Sequence, residues 1–308
     1  MNQEIIRIGT RDSQLALWQA HQVEQALKAL GHAVELVLIK SEGDLDLTTP
    51  LYEMGVQGIF TKTLDAALLA GRIDVAVHSM KDVPTKLATG LQQAAVLERG
   101  NHRDVLITPK GAAFLDDHMG KAVIATSSIR RRAQWLHRYP HHELTNLRGN
   151  VNTRMKKVFS EPWDGAIFAA AGLERTGLLP ADAVTLDWML PAPAQGAVVA
   201  VCRENDAVTA TALAPLNHAL TALCAGIERD FLRTLMGGCS TPISAYAQPW
   251  EEGIHIQGNI CSPDGSDSRF INLTVASMAA AANLGQQAAE RLLAEGGNTL
   301  MDKIRAHG

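Results

Sequence analysis

Hydroxyl and basic side chains occur together at two places where a strand-like run of the sequence gives way to a helix-like run. Residues 10–13 read Thr-Arg-Asp-Ser, and residues 126–132 read Thr-Ser-Ser-Ile-Arg-Arg-Arg. Backbone N–H groups and the positive end of the helix dipole converge at such turns, and arginine adds planar donors that match carboxylate or phosphate groups. The pattern predicts an anion site, although a helix capped by Ser13, with solvated arginines, would have the same sequence.

A third basic cluster, residues 147–154, reads Leu-Arg-Gly-Asn-Val-Asn-Thr-Arg. Asn150 is predicted to cap a helix, which places Arg154 in the first turns, where a cation opposes the helix dipole. Stability alone does not favour that arrangement, so the cluster indicates a bound polyanion. A solvated basic face remains the alternative.

An apolar, strand-like run ends in a lysine and an aspartate. Residues 74–84 read Asp-Val-Ala-Val-His-Ser-Met-Lys-Asp-Val-Pro, and Pro84 prevents a helix soon after Lys81 and Asp82. Ligands of open α/β sheets bind beyond the carboxyl ends of the strands, which is where this pair is predicted to lie. A surface salt pair is the alternative.

Cys239 lies in the segment Met-Gly-Gly-Cys-Ser-Thr-Pro at 236–242, between a predicted helix and a predicted strand. Paired glycines let the backbone come close to another group, so Cys239 is a candidate nucleophile or attachment point, with simple packing as the alternative. Cys202 and Cys224 lie in apolar runs, where a free cysteine usually acts as a small hydrophobe. The four cysteines and eleven histidines show no CxxC or HExxH pattern, so no metal site is predicted.

Composition limits the function classes. The chain has 308 residues, of which 46% are hydrophobic and 19% charged, and its formal net charge is -4, so it has the make-up of a globular enzyme without a basic excess. With 5% aromatic residues as well, binding to nucleic acid is not predicted. The amino terminus does not resemble a signal peptide, and the longest apolar runs are far shorter than the roughly 20 residues that span a bilayer. We therefore expect a soluble, cytoplasmic protein that binds neither nucleic acid nor membrane.

Strand-like and helix-like runs alternate along the chain, which predicts an α/β fold. Strands are predicted at 5–9, 34–39, 73–78, 91–97, 104–108, 122–125, 165–169, 197–202, 243–247, 254–260 and 270–275. Helices are predicted at 13–30, 61–70, 128–138, 151–159, 205–235 and 278–294. The Pro-rich segment 190–196 cannot continue a helix and is predicted to be a connection and a candidate hinge.

Six separated segments resemble, in the same order, the porphobilinogen deaminase family. They are TRDSQLALWQA at 10–20, HSMKDVP at 78–84, ATSSIRRRAQ at 125–134, LRGNVNTR at 147–154, AAGLERTG at 170–177 and GGCSTPI at 237–243. The resemblance covers nearly the whole chain and is weakest beyond residue 250.

The resemblance implies an α/β fold with two lobes, like those of periplasmic binding proteins, around a cleft, followed by a small α+β C-terminal domain. It implies a discontinuous first domain of residues 1–98 and 197–217, a second domain of residues 99–196, and a third domain of residues 218–308 that anchors the cofactor. It also implies a monomer.

The resemblance further implies a transferase of tetrapyrrole (heme) biosynthesis. Such an enzyme polymerises four porphobilinogen molecules, with loss of ammonia, onto a dipyrromethane that is bound covalently, here through Cys239, and it releases hydroxymethylbilane by hydrolysis. Each ring carries an acetate and a propionate, so the growing polycarboxylate needs cationic partners.

The resemblance assigns roles to individual residues. Asp82 and Lys81 would be catalytic, Asp82 by holding pyrrole N–H groups and by stabilising positive charge as ammonia departs. The cofactor would be bound by Cys239, Lys81, Asp82, Thr126, Ser127, Arg130, Arg131 and Arg148. The substrate would be bound by Arg11, Ser13, Ser79, Arg154, Arg175 and Gln195. Phe60 and Lys62 would belong to an active-site loop.

The sequence departs from the family pattern at four positions. Gln14 stands where proline is usual, and Gln57 where lysine is common. Thr63 stands where glutamate is common, and Ala194 where glycine is common. Because Gln57 and Thr63 flank Phe60 and Lys62, loop closure and rate remain open.

Two other functions are compatible with parts of the pattern. One is a carrier of anionic ligands with the same two-lobed fold, and the other is an inactive member of the family. The amino terminus, which does not resemble an export signal, argues against a carrier, and Cys239 discriminates because a carrier needs no covalent cofactor. Retention of both Asp82 and Cys239 argues against an inactive member, although Gln57 and Thr63 leave that alternative open.

Overall fold

The computed structural model describes residues 5–40, 61–236 and 241–306, which form two compact units. The first unit contains residues 5–40, 61–100 and 196–223, and the second contains residues 101–195, 224–236 and 241–306. Three residues that the sequence singled out, Cys239, Phe60 and Gln57, lie outside the described residues.

The described strands and helices follow one another in a mixed order. The strands are β1 Ile6–Thr10, β2 Val34–Leu38, β3 Val75–Ser79, β4 Leu91–Val96, β5 Asp104–Ile107, β6 Val123–Ala125, β7 Glu143–Thr145, β8 Gly165–Ala169, β9 Val184–Thr185, β10 Val198–Arg203, β11 Ile243–Trp250, β12 Gly253–Cys261 and β13 Ser268–Val275. The helices are α1 Gln14–Ala29, α2 Lys62–Leu69, α3 Ile129–Arg138, α4 Val151–Ser160, α5 Ala170–Thr176, α6 Ala207–Leu213, α7 Ala219–Thr234, α8 Leu284–Leu292 and α9 Asn298–Ala306.

A mixed five-stranded sheet forms the centre of the first unit, in the order β2-β1-β3-β10-β4. β1 runs parallel to β2 and β3, whereas β10 runs antiparallel to β3 and β4. The buried side chains of Ile8 and Val75 belong to the same core as Val23 and Leu27 of α1. Because β1 and β3 are parallel, residues 10–13 and 79–82 follow them at the same edge of the sheet.

The second unit repeats this strand pattern. Its larger sheet has the order β7-β6-β8-β5-β9, with β6 parallel to β7 and β8, and β5 antiparallel to β8 and β9. The antiparallel strand is β10 in the first sheet and β5 in the second. Each is the first strand that the chain forms after it leaves the other unit, since β5 follows β4 and β10 follows β9. The turn at 126–128 leaves β6 at its carboxyl end and leads into α3.

A separate antiparallel sheet, β11-β12-β13, completes the second unit. The alternate residues Ile254, Ile256 and Ile260 of β12 are buried, as expected for strands with one covered face, and α8 packs on β12 and β13. The predicted α/β class, with a small α+β region at the carboxyl end, is therefore confirmed.

Glycine permits a close contact between two helices in this C-terminal region. A Cβ on Gly285 of α8 would lie 2.0 Å from the backbone carbonyl oxygen of Ile227 on α7. A side chain there cannot be accommodated unless the two helices separate, so the packing of α8 on α7 requires glycine.

Two predicted helices are wrong in extent. The stretch 205–235 is interrupted, because Pro215 lies in a 3₁₀ turn, Ala214–Leu216, between α6 and α7, and proline cannot donate the next helical hydrogen bond. The stretch 278–294 begins as a 3₁₀ segment, Met278–Asn283, and becomes α-helical only at α8.

Several short or terminal elements were not predicted. They are β7, β9, α5 and α9. The first three are too short for a clear hydrophobic period, and α9 begins after a kink at Gly296, where φ is +103°. Among the described residues, no single helix is long and apolar enough to cross a membrane; by length and composition only the pair Ala207–Leu216 and Ala219–Thr234, bent by 104°, qualifies.

The glycine contact gives a test with an internal control. We expect Gly285→Ala to lower the free energy of unfolding by about 1–3 kcal/mol, because the added methyl group meets the Ile227 carbonyl. Gly226→Ala on α7 should instead raise it by about 0.5–1 kcal/mol, since its Cβ would meet nothing within 4 Å and alanine is the better helix former. Denaturant unfolding of both variants measures this, and equal shifts would contradict the close contact.

Candidate functional site

In the first unit, the lysine and aspartate of interest lie on a turn that a buried methionine anchors. Met80–Asp82 forms a single 3₁₀ turn directly after β3. The buried Met80 donates its backbone N–H to the carbonyl of Ala197, at 3.0 Å, and accepts from the N–H of Val83. Lys81 and Asp82 are half-buried on this turn, which follows β3 directly and is held by the bond from Met80 to Ala197, the residue before β10.

Ser79 is oriented by a glutamine that the sequence analysis missed. Gln19 of α1 is buried and donates from Nε2 to the Ser79 hydroxyl at 2.8 Å. A hydroxyl that accepts in this way keeps its own hydrogen for donation to an anion. The signal in the sequence was spacing, because Gln19 precedes the buried Val23 and Leu27 by four and eight residues on one helix face.

Ser13 and His78 are two further residues of the first unit whose surroundings the structure gives. Ser13 caps α1 by accepting from the N–H of Ala16 at 3.3 Å, which confirms the predicted cap. His78 is buried, and this burial, together with the nearby charge of Arg11, lowers its pKa to about 4. His78 is therefore neutral at physiological pH and adds no charge beside Arg11.

In the second unit, three successive hydroxyls close the turn between β6 and α3. Thr126 Oγ1 accepts from the N–H of Ser128, Ser127 Oγ accepts from the N–H of Leu147, and Ser128 Oγ accepts from the N–H of Arg131, at 3.3, 2.9 and 3.4 Å. The bonds hold Thr126 and Ser127 in place at the amino end of a helix. Their hydroxyl hydrogens can then be donated to a carboxylate.

Two arginines that follow this turn enclose a buried aspartate that the sequence analysis did not single out. Arg130 Nη2 lies 2.7 Å from Asp104 Oδ2, and Arg131 approaches Oδ1 through Nε at 3.2 Å and Nη2 at 2.8 Å. All three side chains are buried. Burial alone would raise the pKa of Asp104, but the two guanidinium groups outweigh it and hold that pKa well below its usual range.

One further nitrogen of each arginine also donates a hydrogen bond to the protein backbone. Arg130 Nη1 donates to the carbonyl of Leu190 at 2.7 Å, and Arg131 Nη1 donates to the carbonyl of Ile167 at 2.9 Å. Two cations and one anion leave a net charge of +1 in this buried cluster. The charge pattern suits a polyanion, although the arginines are held far more tightly than solvated side chains would be.

Gln195 belongs to the same cluster. It is fully buried, and its Nε2 donates to Asp104 Oδ1 at 2.9 Å and to the carbonyl of His102 at 2.8 Å. These contacts make it a partner of Asp104. Its role in substrate binding stays a prediction.

The other predicted binders of the second unit lie on two helices and the turn before one of them. Asn150 caps α4 by accepting from the N–H of Thr153 at 2.9 Å, as predicted, and Arg154 Nε donates to the carbonyl of Gly149 at 2.7 Å. Arg148 is buried just before this cap. Arg175 lies in the last turn of α5, where burial lowers its pKa.

Lys62 and two of the positions that depart from the family pattern, Thr63 and Ala194, are also among the described residues. Lys62, the first residue of α2, is exposed, and Thr63 follows it. Ala194 has a φ of +62°, the left-handed region that favours glycine, and its N–H donates to the buried Glu228 carboxylate at 2.6 Å. The departure from glycine at this position is therefore a strained one.

The Asp104 cluster gives a test of buried charge. We expect Asp104→Asn to lower the free energy of unfolding by about 3–5 kcal/mol, because it leaves two buried arginines without their anion. Asp187→Asn is the matched control: its ion pair with Arg103 is exposed at 52% and 73%, so its loss should cost less than about 1 kcal/mol. Denaturant unfolding of both variants decides, and similar losses would show that the buried pairs contribute no more than a surface pair.

His78 gives a test of pH dependence. The folded-state pKa of about 4 lies below the ordinary value of 6.5, so the neutral ring contributes stability above pH 6.5 that is lost as the pH falls toward 4. The difference in unfolding free energy between wild type and His78→Gln should therefore shrink by about 2–3 kcal/mol between pH 7.5 and 4.5. Other groups titrate equally in both proteins and cancel. A difference that does not change with pH would disprove the depressed pKa.

Comparison with known proteins places these residues in a family. Residues 6–211 match the family model "Porphobilinogen deaminase, dipyromethane cofactor binding domain", and residues 222–294 match "Porphobilinogen deaminase, C-terminal domain". The porphobilinogen deaminase of Syntrophotalea carbinolica is 44% identical over 305 residues, covering 98% of this chain and 96% of that one. The chloroplastic porphobilinogen deaminase of Oryza sativa is 43% identical over 271 residues, covering 85% and 75%.

Among solved structures, a periplasmic substrate-binding protein of an ABC transporter from Coxiella burnetii is 17% identical, with a TM-score of 0.44 and coverage of 73% of this chain and 96% of that one. The sequence matches, by contrast, show the family, because they extend over nearly the full length of both chains. The chain therefore belongs to the porphobilinogen deaminase family.

Proposed function

We propose that this protein joins four porphobilinogen molecules, with loss of one ammonia for each, to a dipyrromethane anchored on Cys239, and that it releases hydroxymethylbilane by hydrolysis. Membership of the family makes the chain a transferase of tetrapyrrole biosynthesis, a hydroxymethylbilane synthase with a dipyrromethane cofactor. The observation that carries the assignment is the match of the cofactor-binding model to residues 6–211, within which the chain retains Lys81 and Asp82.

The donor groups of the second unit fit a polycarboxylate. Dipyrromethane, when bound, supplies the terminal pyrrole carbon to which the first porphobilinogen is joined. Arg130 and Arg131 form a cluster with a net charge of +1, and the neighbouring hydroxyls of Thr126 and Ser127 are held as donors. We assign these four residues and Arg148 to the cofactor carboxylates, because cations and O–H donors are the groups that stabilise them.

Asp82 is the group that we assign to the chemical step. A carboxylate on a turn anchored by Met80 can accept hydrogen bonds from pyrrole N–H groups and can stabilise positive charge as the C–N bond to ammonia breaks. Its neighbour Lys81 adds a cation for a substrate or cofactor carboxylate. A rigid turn suits this role, because electrostatic stabilisation depends on dipoles and charges that need not reorganise.

Substrate carboxylates need further donors, which the chain supplies in both units. We assign this role to Arg11, Ser13, Ser79, Arg154, Arg175 and Gln195. Support for Ser79 comes from Gln19, which donates to its hydroxyl oxygen at 2.8 Å and leaves the hydroxyl hydrogen for a carboxylate. Phe60 and Lys62 are assigned to the active-site loop on the family resemblance.

The wider biological setting is also proposed. We place the protein in the cytoplasm as a monomer that binds porphobilinogen and has no nucleic-acid or membrane partner. We further divide the chain into domains of residues 1–98 with 197–217, 99–196, and 218–308. Support for a separate third domain comes from its own three-stranded sheet and from the separate family model that matches residues 222–294.

The deciding experiment measures the intact mass of the protein and its release of ammonia from porphobilinogen. We expect wild type to carry a mass excess of one dipyrromethane and to release ammonia from porphobilinogen, and Cys239→Ser to lack both. Cys261→Ala is the control, because that thiol is buried and its pKa is raised to about 12, so it should leave the mass excess intact. Asp82→Asn should keep the cofactor but lose at least about a hundredfold in turnover.

The contrary outcome is equally clear. Wild-type protein that stays unmodified after addition of porphobilinogen, and that releases no ammonia, would support a carrier of anions or an inactive family member. Loss of the mass excess in Cys261→Ala but not in Cys239→Ser would place the anchor elsewhere.

A further inference from the structure

One side-chain amide in the second unit has all of its hydrogen-bonding capacity in use. Gln134, a buried residue of α3, donates from Nε2 to the carbonyl of Leu190 at 3.0 Å and accepts at Oε1 from the N–H of Leu190 at 2.9 Å. The amide thus pairs with both backbone groups of Leu190, the residue at the start of the Pro-rich segment.

The same amide reaches the C-terminal sheet. Its Nε2 also donates to Ser244 Oγ on β11 at 2.9 Å, and its Oε1 accepts from Asn259 Nδ2 on β12 at 3.4 Å. Two donors and two acceptor sites are all that a glutamine amide has, so the group is fully satisfied by two separate parts of the chain.

A second contact, three residues further along α3, joins the helix to the same sheet. His137 Nδ1 lies 2.8 Å from the carbonyl oxygen of Gly265, and its Nε2 lies 3.2 Å from Ser268 Oγ. A Cβ on Gly265 would be 2.4 Å from the backbone nitrogen of His137, so the turn between β12 and β13 lies directly on the helix backbone. Helix α3 is therefore held to the C-terminal sheet at two points.

Gln134 is coupled to the arginine cluster as well. Arg130 lies one helical turn earlier on α3, and its Nη1 donates to the same Leu190 carbonyl that Gln134 Nε2 contacts. Removal of the glutamine amide consequently alters the surroundings of the Arg130 guanidinium, and it also releases Ser244, which follows Cys239 by five residues in the sequence.

We propose that Gln134 is a positioning residue for the reaction. It holds the C-terminal sheet, which follows Cys239 in the sequence, at a fixed distance and orientation relative to the arginines of α3. This inference rests on the proposed function. Stability alone offers no reason for a polar joint here, because well-packed apolar side chains usually serve as well as a buried polar network. The joint even leaves Asn259 Oδ1 buried without a hydrogen bond among the described residues.

The test compares two glutamine-to-leucine variants. Gln134→Leu removes the joint, whereas Gln92→Leu removes an amide of the first unit that donates to the carbonyls of Arg203 and Glu204 at 3.1 and 3.3 Å. Intact mass gives the fraction of molecules with cofactor, and turnover and KM for porphobilinogen are then expressed per cofactor-bearing molecule. We expect Gln134→Leu to lose about tenfold in turnover per such molecule, with little change in KM, because small misplacements of reacting groups are costly. Gln92→Leu should stay within about twofold of wild type.

A merely structural role makes a different prediction. It would lower the Tm of Gln134→Leu and leave turnover per cofactor-bearing molecule unchanged, and that result would overturn the inference. If Gln134→Leu does not fold, Ser244→Ala removes one partner of the amide with a minimal change, and it should lower turnover about threefold for the same reason. Normal turnover in folded Ser244→Ala would then overturn the inference.

Failure of the proposed function has its own signature. Wild-type protein that never releases ammonia from porphobilinogen would overturn the proposed function and this inference with it. Active wild type, together with variants that behave like Gln92→Leu, would overturn the role of Gln134 alone.

Discussion

A single buried carboxylate, that of Asp104, allows two consecutive arginines to lie inside the second unit. Without it, Arg130 and Arg131 would be two like charges removed from water at the amino end of a helix, where the dipole also opposes cations. With it, the cluster keeps one net positive charge, and the surrounding carbonyls and Gln195 satisfy further donors and acceptors. The burial of both arginines at the start of α3 depends on this arrangement.

Polar joints of the same kind recur where the second unit must hold its C-terminal sheet. Gln134 and His137 bind the sheet from α3, the carboxylate of Glu228 accepts from the N–H of Ala194 and of Ala247, and the ring of His102 stacks on Tyr246 with centroids 3.9 Å apart. Hydrogen bonds fix direction and distance more narrowly than apolar contact does. Such fixed distances and directions suit a fold that must hold several charged side chains in position around a growing polycarboxylate.

Local sequence patterns predicted local features well and long-range partners poorly. The caps at Ser13 and Asn150 and the buried strands β1 and β3 follow from patterns within a few residues. Asp104 and Gln19 were missed because their partners lie 26 or more positions away in the chain, and such partners are brought together only by the sheets. The break of the predicted helix 205–235 was readable, since Pro215 stands within it.

The sequence by itself therefore determined the residue types available for chemistry and the family. The residue types in the basic segments indicated polyanion binding, and the order of six segments indicated the family before any fold was known; the roles of Asp82 and Cys239 are implied by that resemblance and stay predictions. Tertiary structure alone decided that the arginines of α3 are buried on Asp104 and that Gln195 faces the same carboxylate. The physical reason is that a charged side chain has the same sequence signature in water and in a protein interior, whereas only the packed fold determines which counter-charge compensates its lost hydration.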